Sequence, residues 1–403
     1  MKKTWSAVII TVASGFILLL LAFHDLSTPS AVTWRAETGV AHLERAKGLV
    51  LQEIKDGVIW ASDGFSIYRS EGGRGFLKVF SVRPPWGIAW AAYSRTLRRL
   101  LGLEEIVEVF VMQPDVLLVF VGGEVQRVDL RNRETETVHR LRYFGRRDGR
   151  GVMPFGATMD DEGRVYYGEY VTRRIDQDET IALFRSDRTG RNFKIVYEFP
   201  PLVVRHIHAV QWDPYANVLW MGTGDGDEQS RVGYSKDRGE TFMWVGQESQ
   251  DFRTVNFVFA KDHVTWLTDR ITTPPRAIRW HRANWAIETS PTILPSHGQY
   301  LRAIGAGYSI GTTGEDVASL WLVGPDLGLG KIMEWPIGDI GMSGFSTIRL
   351  GRGDAELNNW LYLSPLRVQE NQPGIFRLSW PAAFAVAGIA DPKDRQAHKR
   401  DDP

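Results

Sequence analysis

Short apolar runs separated by polar turns dominate the chain from about residue 46 to residue 380. GVIWAS, VLLVFVGG, RVYYGEY, NVLWMGTG, HVTWLTD, SLWLVG and NWLYLS are examples, each bounded by Gly, Asp or Asn. Runs this short and this rich in Val, Trp and Tyr predict β-strands. Only residues 88–103, IAWAAYSRTLRRLLGL, carry the apolar spacing and arginine pairs of an amphipathic helix, and an insertion is expected there.

The strands group into units of roughly 40 residues. In 152–199 a first run meets the turn DDEG, then come RVYYGEY, a polar loop, TIALFRS, the turn SDRTGRN and FKIVYEF. In 205–246 the same order returns as RHIHAVQW, DPYAN, VLWMGTG, DGDEQS, RVGYS, KDRGE and TFMWVG. Weaker copies fall at 46–80, 105–144, 253–290, 300–336 and 345–380. Four strands repeated at this period predict an all-β fold, a β-propeller of four-stranded blades. Seven blades is the count the pattern gives, with six the nearest alternative. The last unit lacks an outer strand, and AVTWRAE at 31–37 is expected to supply it and close the ring. The propeller is thus expected over 31–382.

The ends of the chain read differently. Lys2 and Lys3 precede an apolar run from residue 5 to residue 23, so 1–24 is expected to be a signal anchor forming one N-terminal transmembrane helix, or a cleaved signal peptide. The propeller would then lie on the extracytoplasmic side, held to the membrane by that helix or secreted. Residues 383–403 end in ADPKDRQAHKRDDP and are expected to form a disordered charged tail. Forty-eight Lys and Arg balance 48 Asp and Glu, so no net field argues for nucleic acid as a partner. The absence of cysteine excludes disulfides, thiol nucleophiles and Cys-zinc sites. No Gly-rich phosphate loop or H-E-x-x-H motif occurs, and G-x-S-x-G occurs only as GYSIG at 307–311, with no helical pattern after it, so nucleotide and serine-hydrolase chemistry have no support.

Residues 235–242, SKDRGETF, have the spacing Ser-x-Asp-x-Gly-x-Thr-aromatic. Asp accepts backbone N–H bonds, Gly takes positive φ and the aromatic packs, which is the chemistry of a turn. SDRTGRNF at 186–193 and SEGGRGF at 70–76 look like partial copies. The segment resembles the Asp-box of sialidase-like, BNR-repeat propellers. That resemblance implies a turn between the third and fourth strands of a blade, with a structural role for Ser235, Asp237 and Gly239. The stretch over roughly 150–270 is similar to a group of uncharacterised exported sialidase-like propellers of bacteria and archaea. The Arg-Ile-Pro segment of true sialidases is absent, so sialidase activity is not expected.

If those turns mark one face, functional groups are expected on the other, where inner strands begin and the loops between second and third strands lie. His206 and His208 are two apart on a predicted inner strand and share one side. They are candidates for acid–base work or for binding a divalent cation; a packed histidine beside a solvated one is the plainer alternative. The loop TGDGDEQSR offers Asp225, Asp227 and Glu228, as partner carboxylates or as a solvated turn. Glu169 and Tyr170, followed by Arg173 and Arg174, hold the corresponding place one unit earlier; Asp269 and Arg270 hold it one unit later. Arg205, Arg173, Asp227 and Arg270 are candidates for substrate binding, Arg205 being expected to point away from the histidines unless the strand start is irregular. His206, His208, Glu169 and Asp225 are the candidates for catalysis. Paired His and Arg on such a fold also resemble polysaccharide lyases, which implies an acidic polysaccharide as partner, bound or cleaved. The alternative is a non-catalytic propeller, a scaffold for envelope or polysaccharide-export assembly.

Overall fold

The computed structural model describes residues 29–389 apart from 38–41, 85–97, 99–105, 146–147, 174–177, 271, 338–345 and 369–373. The proposed anchor at 1–24 lies outside the described residues, as do Arg174 and all of 88–103 except Arg98. Among the described residues no helix is long and apolar enough to cross a membrane.

Seven sheets, each built on four antiparallel strands, form a seven-bladed β-propeller. The inner strands are Val50–Lys55, Ile106–Gln113, Ala157–Met159, His206–Asp213, Val258–Phe259, His297–Gly305 and Thr347–Leu350, for blades 1 to 7 in order. Middle strands are buried on both faces, as Val116–Val121 and Val218–Gly224 show, because each blade packs between two others. That is why these segments read as continuous apolar runs rather than as alternating ones.

Closure differs from the expectation. The outer strand of blade 7 is Leu43–Lys47, which pairs over five residues with Gly374–Ser379. Residues 31–37 do not fill that place. Ala31–Val32 pairs with the outer edge of blade 1, and Arg35–Ala36 pairs outside Leu43–Lys47. The segment covers the seam between first and last blades. Trp34 is set in that seam, with ring centroids 5.5 Å from Phe76 and 5.9 Å from Tyr362 and its Nε1 donating to Gly73 O at 2.7 Å. The expected tail is also corrected at its start. Helix α1, Trp380–Val386, buries Trp380, Ala383 and Phe384 against the last blades, so 383–389 belong to the folded unit.

The Ser235-to-Thr241 turn joins the third and fourth strands of blade 4, Arg231–Ser235 and Met243–Gln247. Asp237 Oδ1 accepts from Thr241 N at 2.8 Å and Ser235 Oγ at 2.7 Å, and Gly239 N donates to Ser235 Oγ at 2.7 Å. Gly239 has φ 93°, and a Cβ there would meet Leu183 of blade 3 at 2.9 Å. Next to it, Arg238 pairs with Asp160 at 2.6 Å, in the turn between the first and second strands of blade 3. Both turns therefore share one face, and the inner strands begin on the other.

Candidate active site at one mouth of the channel

His206 opens the inner strand of blade 4. Its register runs His206↔Gly224, Ile207↔Thr223, then Ala209↔Gly222, so His208 sits in a bulge. The two imidazoles meet with Nε2 atoms 2.8 Å apart. His206 Nδ1 lies 2.6 Å from Val171 O. A carbonyl only accepts, so Nδ1 carries a proton, and Nε2 either donates a second proton to Asp225 or, without it, turns a lone pair toward an ion. Asp225 follows the second strand and brings Oδ1 to 3.2 Å from His206 Nε2 and 3.5 Å from His208 Nε2. Tyr170 stacks on His206 with centroids 4.2 Å apart, and both histidines are buried. His208 Nδ1 is buried and has no hydrogen-bond partner among the described residues. Gly224 permits the approach: a Cβ there would lie 2.9 Å from His208 Cε1 and 3.0 Å from Arg253 Cγ.

Blades 5 and 6 extend the cluster. Buried Arg253 places Nη2 3.4 Å from Asp225 Oδ1 and 3.0 Å from Asp269 Oδ2. Asp269 Oδ1 is 2.9 Å from His297 Nδ1, and His297 Nε2 is 3.3 Å from Glu315 Oε2. From the rim, Arg205 Nη1 reaches Asp225 Oδ2 at 2.8 Å. One chain of contacts thus runs Arg205, Asp225, Arg253, Asp269, His297, Glu315.

Burial would raise the Asp225 carboxyl, but hydrogen bonds with His206 and His208 outweigh it and hold the group far below its ordinary range. Burial pushes the His208 imidazole down, toward the neutral form that binds metals. Burial also opposes ionisation of Asp269, yet its bond to His297 keeps its carboxyl low. The same bond raises His297. Glu315 is raised by burial and by Asp269.

The expected site residues divide into two groups. His206, His208, Asp225 and Arg205 converge, Arg205 turning toward Asp225 rather than away, and Asp269 joins them through Arg253. Glu169 does not. It is buried and gripped by Arg142, with Nε–Oε1 2.9 Å and Nη2–Oε2 2.6 Å, and it accepts from Ala182 N at 2.9 Å. Arg173 is closed between Asp148 and Glu179, at 2.6 and 2.5 Å. Arg270 is buried, bonds to Thr273 Oγ1 and Pro274 O, and pairs with Asp251. Asp227 and Glu228 form an exposed turn that points no carboxylate into the cluster. Arg253, His297 and Glu315 went unnoticed in the sequence. The period held their signal: His297 begins the inner strand of blade 6 as His206 begins that of blade 4, and Glu315 follows a second strand as Asp225 does.

The first triad fits a divalent ion. Donors 2.8, 3.2 and 3.5 Å apart lie on a circle of radius about 1.9 Å, so an ion with bonds of about 2.0–2.2 Å reaches all three from just off their plane. The bond from His206 Nδ1 to Val171 O is the outer support that metal-binding histidines use. His297 fits less well, because both its ring nitrogens already face carboxylates.

No protein-family model matches the chain, and no curated protein matches it. Solved structures do. An oligogalacturonate lyase from Vibrio parahaemolyticus is similar at TM-score 0.55 and 8% identity, over 88% of this chain and 98% of that one. An oligogalacturonate lyase in complex with manganese gives TM-score 0.54 and 8% identity over 87% and 96%. A GH74 xyloglucanase from Xanthomonas campestris gives 0.51 and 15%, over 69% of this chain and 44% of that one. At such identities the likeness is one of fold.

Proposed function

We propose that this protein is an exported, Asp-box-bearing propeller, held to the membrane by its N-terminal segment, that binds or cleaves an acidic polysaccharide at this mouth with a divalent cation on His206, His208 and Asp225. The observation that carries the reading is the convergence of two imidazole–carboxylate groups from blades 4, 5 and 6, joined by Arg253. Fold neighbours named as an oligogalacturonate lyase and a xyloglucanase support a polysaccharide as partner. When bound, the ion supplies a Lewis acid for a sugar carboxylate or hydroxyl oxygen. Arg205, with its side chain 34% exposed, is the cation on the rim suited to a second carboxylate oxygen. His297, raised by its bond to Asp269, and Glu315, raised by burial, are the groups of blade 6 placed for proton transfer at this mouth.

The test uses the full chain, loaded with Mn²⁺ or stripped by chelator, on polygalacturonate, alginate and neutral xyloglucan. Retention or cleavage of an acidic polymer is expected, with loss on chelation and in His208→Ala at unchanged fold. Metal binding without capture of any polymer would refute the polysaccharide reading and leave the scaffold reading in its place.

A further inference from the structure

The three tyrosines of RVYYGEY differ in one respect. Tyr166 OH donates to Asp160 Oδ2 at 3.0 Å, and Tyr167 OH lies 2.8 Å from His139 Nε2. Tyr170 OH has no hydrogen-bond partner among the described residues. Its side chain is half-buried, and the oxygen stays open to solvent. A tyrosine hydroxyl in a packed site ordinarily finds a partner in the protein. One that opens on a mouth without a partner is satisfied by water, and a ligand oxygen can take the place of that water.

The hydroxyl belongs to the His206 mouth. Phe155 of blade 3 and Tyr300 of blade 6 meet across the channel, with ring centroids 4.9 Å apart, and divide it into two mouths, of which this is the first. Asp225 of blade 4, Asp269 of blade 5, Arg205 on the rim and Arg150 from the loop before the inner strand of blade 3 all lie near enough to act on the charge of the Tyr170 hydroxyl. Groups from separate blades surround it, so it opens into the space they share. The residue is also held in place. Its ring lies against His206, with centroids 4.2 Å and planes 20° apart. Its N donates to Gly151 O at 3.0 Å, and one residue earlier Glu169 O accepts from Ile207 N at 2.8 Å. Gly168 lets blades 3 and 4 close this far, since a Cβ there would run into Ile207. Arg142, by gripping the Glu169 carboxylate, fixes the backbone next to the ring.

We propose that Tyr170 is a further substrate-binding residue of this mouth, its hydroxyl donating to an oxygen of the uronate unit whose carboxylate the ion holds. This contact rests on the polysaccharide reading above. A phenol keeps its proton at neutral pH, so Tyr170 donates where the carboxylates around it only accept. The stacked ring holds the hydroxyl at a set distance from His206, and so from an ion on His206. A ligand that uses both must present two oxygens close together. A uronate does so, because its carboxylate stands on the ring carbon that adjoins both the ring oxygen and the carbon bearing the C4 oxygen.

The test compares the parent, Tyr170→Phe and Tyr170→Leu as full chains. The probes are Mn²⁺ alone, followed by calorimetric titration, and polygalacturonate and alginate, followed by affinity electrophoresis of the Mn²⁺-loaded protein. Tyr170→Phe keeps the stacked ring, so its Kd for Mn²⁺ is expected within about twofold of the parent's, while its retention by the acidic polymer falls about tenfold for the one hydrogen bond lost. Tyr170→Leu also removes the stack on His206 and is expected to weaken Mn²⁺ binding as well. A Tyr170→Phe protein that the polymer retains as it does the parent would overturn the proposal. So would one that loses Mn²⁺ and polymer in step, which would make the residue a prop for His206 and nothing more. A parent that binds Mn²⁺ but is retained by neither polymer fails the polysaccharide reading itself, and this contact falls with it whatever the variants do. If Tyr170→Phe does not fold, Tyr170→Leu at saturating Mn²⁺ replaces it, and undiminished retention there is equally fatal.

Discussion

Two carboxylates show how the same residue type acquires different work. Asp237 is solvent-facing, yet Thr241 N, Glu240 N and the Ser235 hydroxyl all converge on its Oδ1. Burial opposes its charge, but the Thr241 and Ser235 bonds together outweigh that and bring the carboxyl down to about 2. Its folded value is depressed, so its contribution is complete above the unfolded value of about 3.9 and is lost as pH falls from there through about 2. Asp237→Ala is expected to cost about 1–2 kcal/mol, at the lower end of what several lost bonds imply because the site is exposed. Denaturant melts at pH 7 and pH 2.5 check this: the gap between parent and variant should narrow at the lower pH, and a gap that holds constant would assign the loss to something other than the ionised turn. Glu169 is the opposite case, buried and locked in a fork by Arg142. It was expected in the catalytic group, but the fork and the Ala182 N–H leave its oxygens committed. Glu169→Gln is expected to destabilise the fold by about 2–4 kcal/mol, because Arg142 keeps its charge with half its partner gone. Metal binding by the folded fraction should be unaltered; a Glu169→Gln protein that melts like the parent yet no longer binds Mn²⁺ would restore the residue to the site.

At the scale of elements, closure is the place where local pattern misled. AVTWRAE carries Val and Trp at strand spacing, while Leu43–Lys47 reads LERAK, with three charged residues in five. The second segment is nevertheless the closing strand. Leu43 and Ala46 face the core, and Arg45 is buried with its guanidinium over Phe376 at 4.9 Å. Its long apolar stem buys a place that hydropathy alone denies it. Removing residues 29–37 is therefore expected to uncover Trp34's seam and lower the melting temperature by a few degrees, while removal through Lys47 opens blade 7 and leaves an aggregating chain. Thermal melts with light scattering separate the two; equal behaviour of both truncations would contradict the assigned closure. The strands, the blade count and the His206–His208 pair were legible because each depends on spacing of two or on a period near 40 residues. The partners of Glu169 and Arg173 were not: Arg142 and Asp148 lie between blades, where no periodicity constrains which charge meets which. His297 and Glu315 fall between these cases, readable by superposing blades but silent when each run is read alone.

For the whole molecule, the ring makes every blade a neighbour of two others, and the first mouth exploits this. The proposed ligands His206, His208 and Asp225 all belong to blade 4, yet Asp225 is tied through Arg253 to blade 5, and Asp269 and His297 carry the contact on to blade 6. An ion bound at one blade thus tightens a network that spans three, inside a ring whose ends are closed by a single strand. Such a ring is expected to unfold as one unit, so the ion should shift one transition and not merely stiffen a loop. At an ion concentration a hundredfold above its Kd the added stability is about 2.7 kcal/mol. The ion competes with a proton for the His208 imidazole, which burial lowers, so this gain should shrink only as pH falls below that lowered value. The measurement is calorimetry with Mn²⁺ and with chelator at pH 7.5 and pH 4.5. A single endotherm that rises with Mn²⁺ at the higher pH, rises less at the lower, and does not respond in His208→Ala is the expected result. Two separate endotherms, only one of them metal-sensitive, would show that blade 4 and its neighbours melt apart from the rest and that the mouth is not braced by the ring.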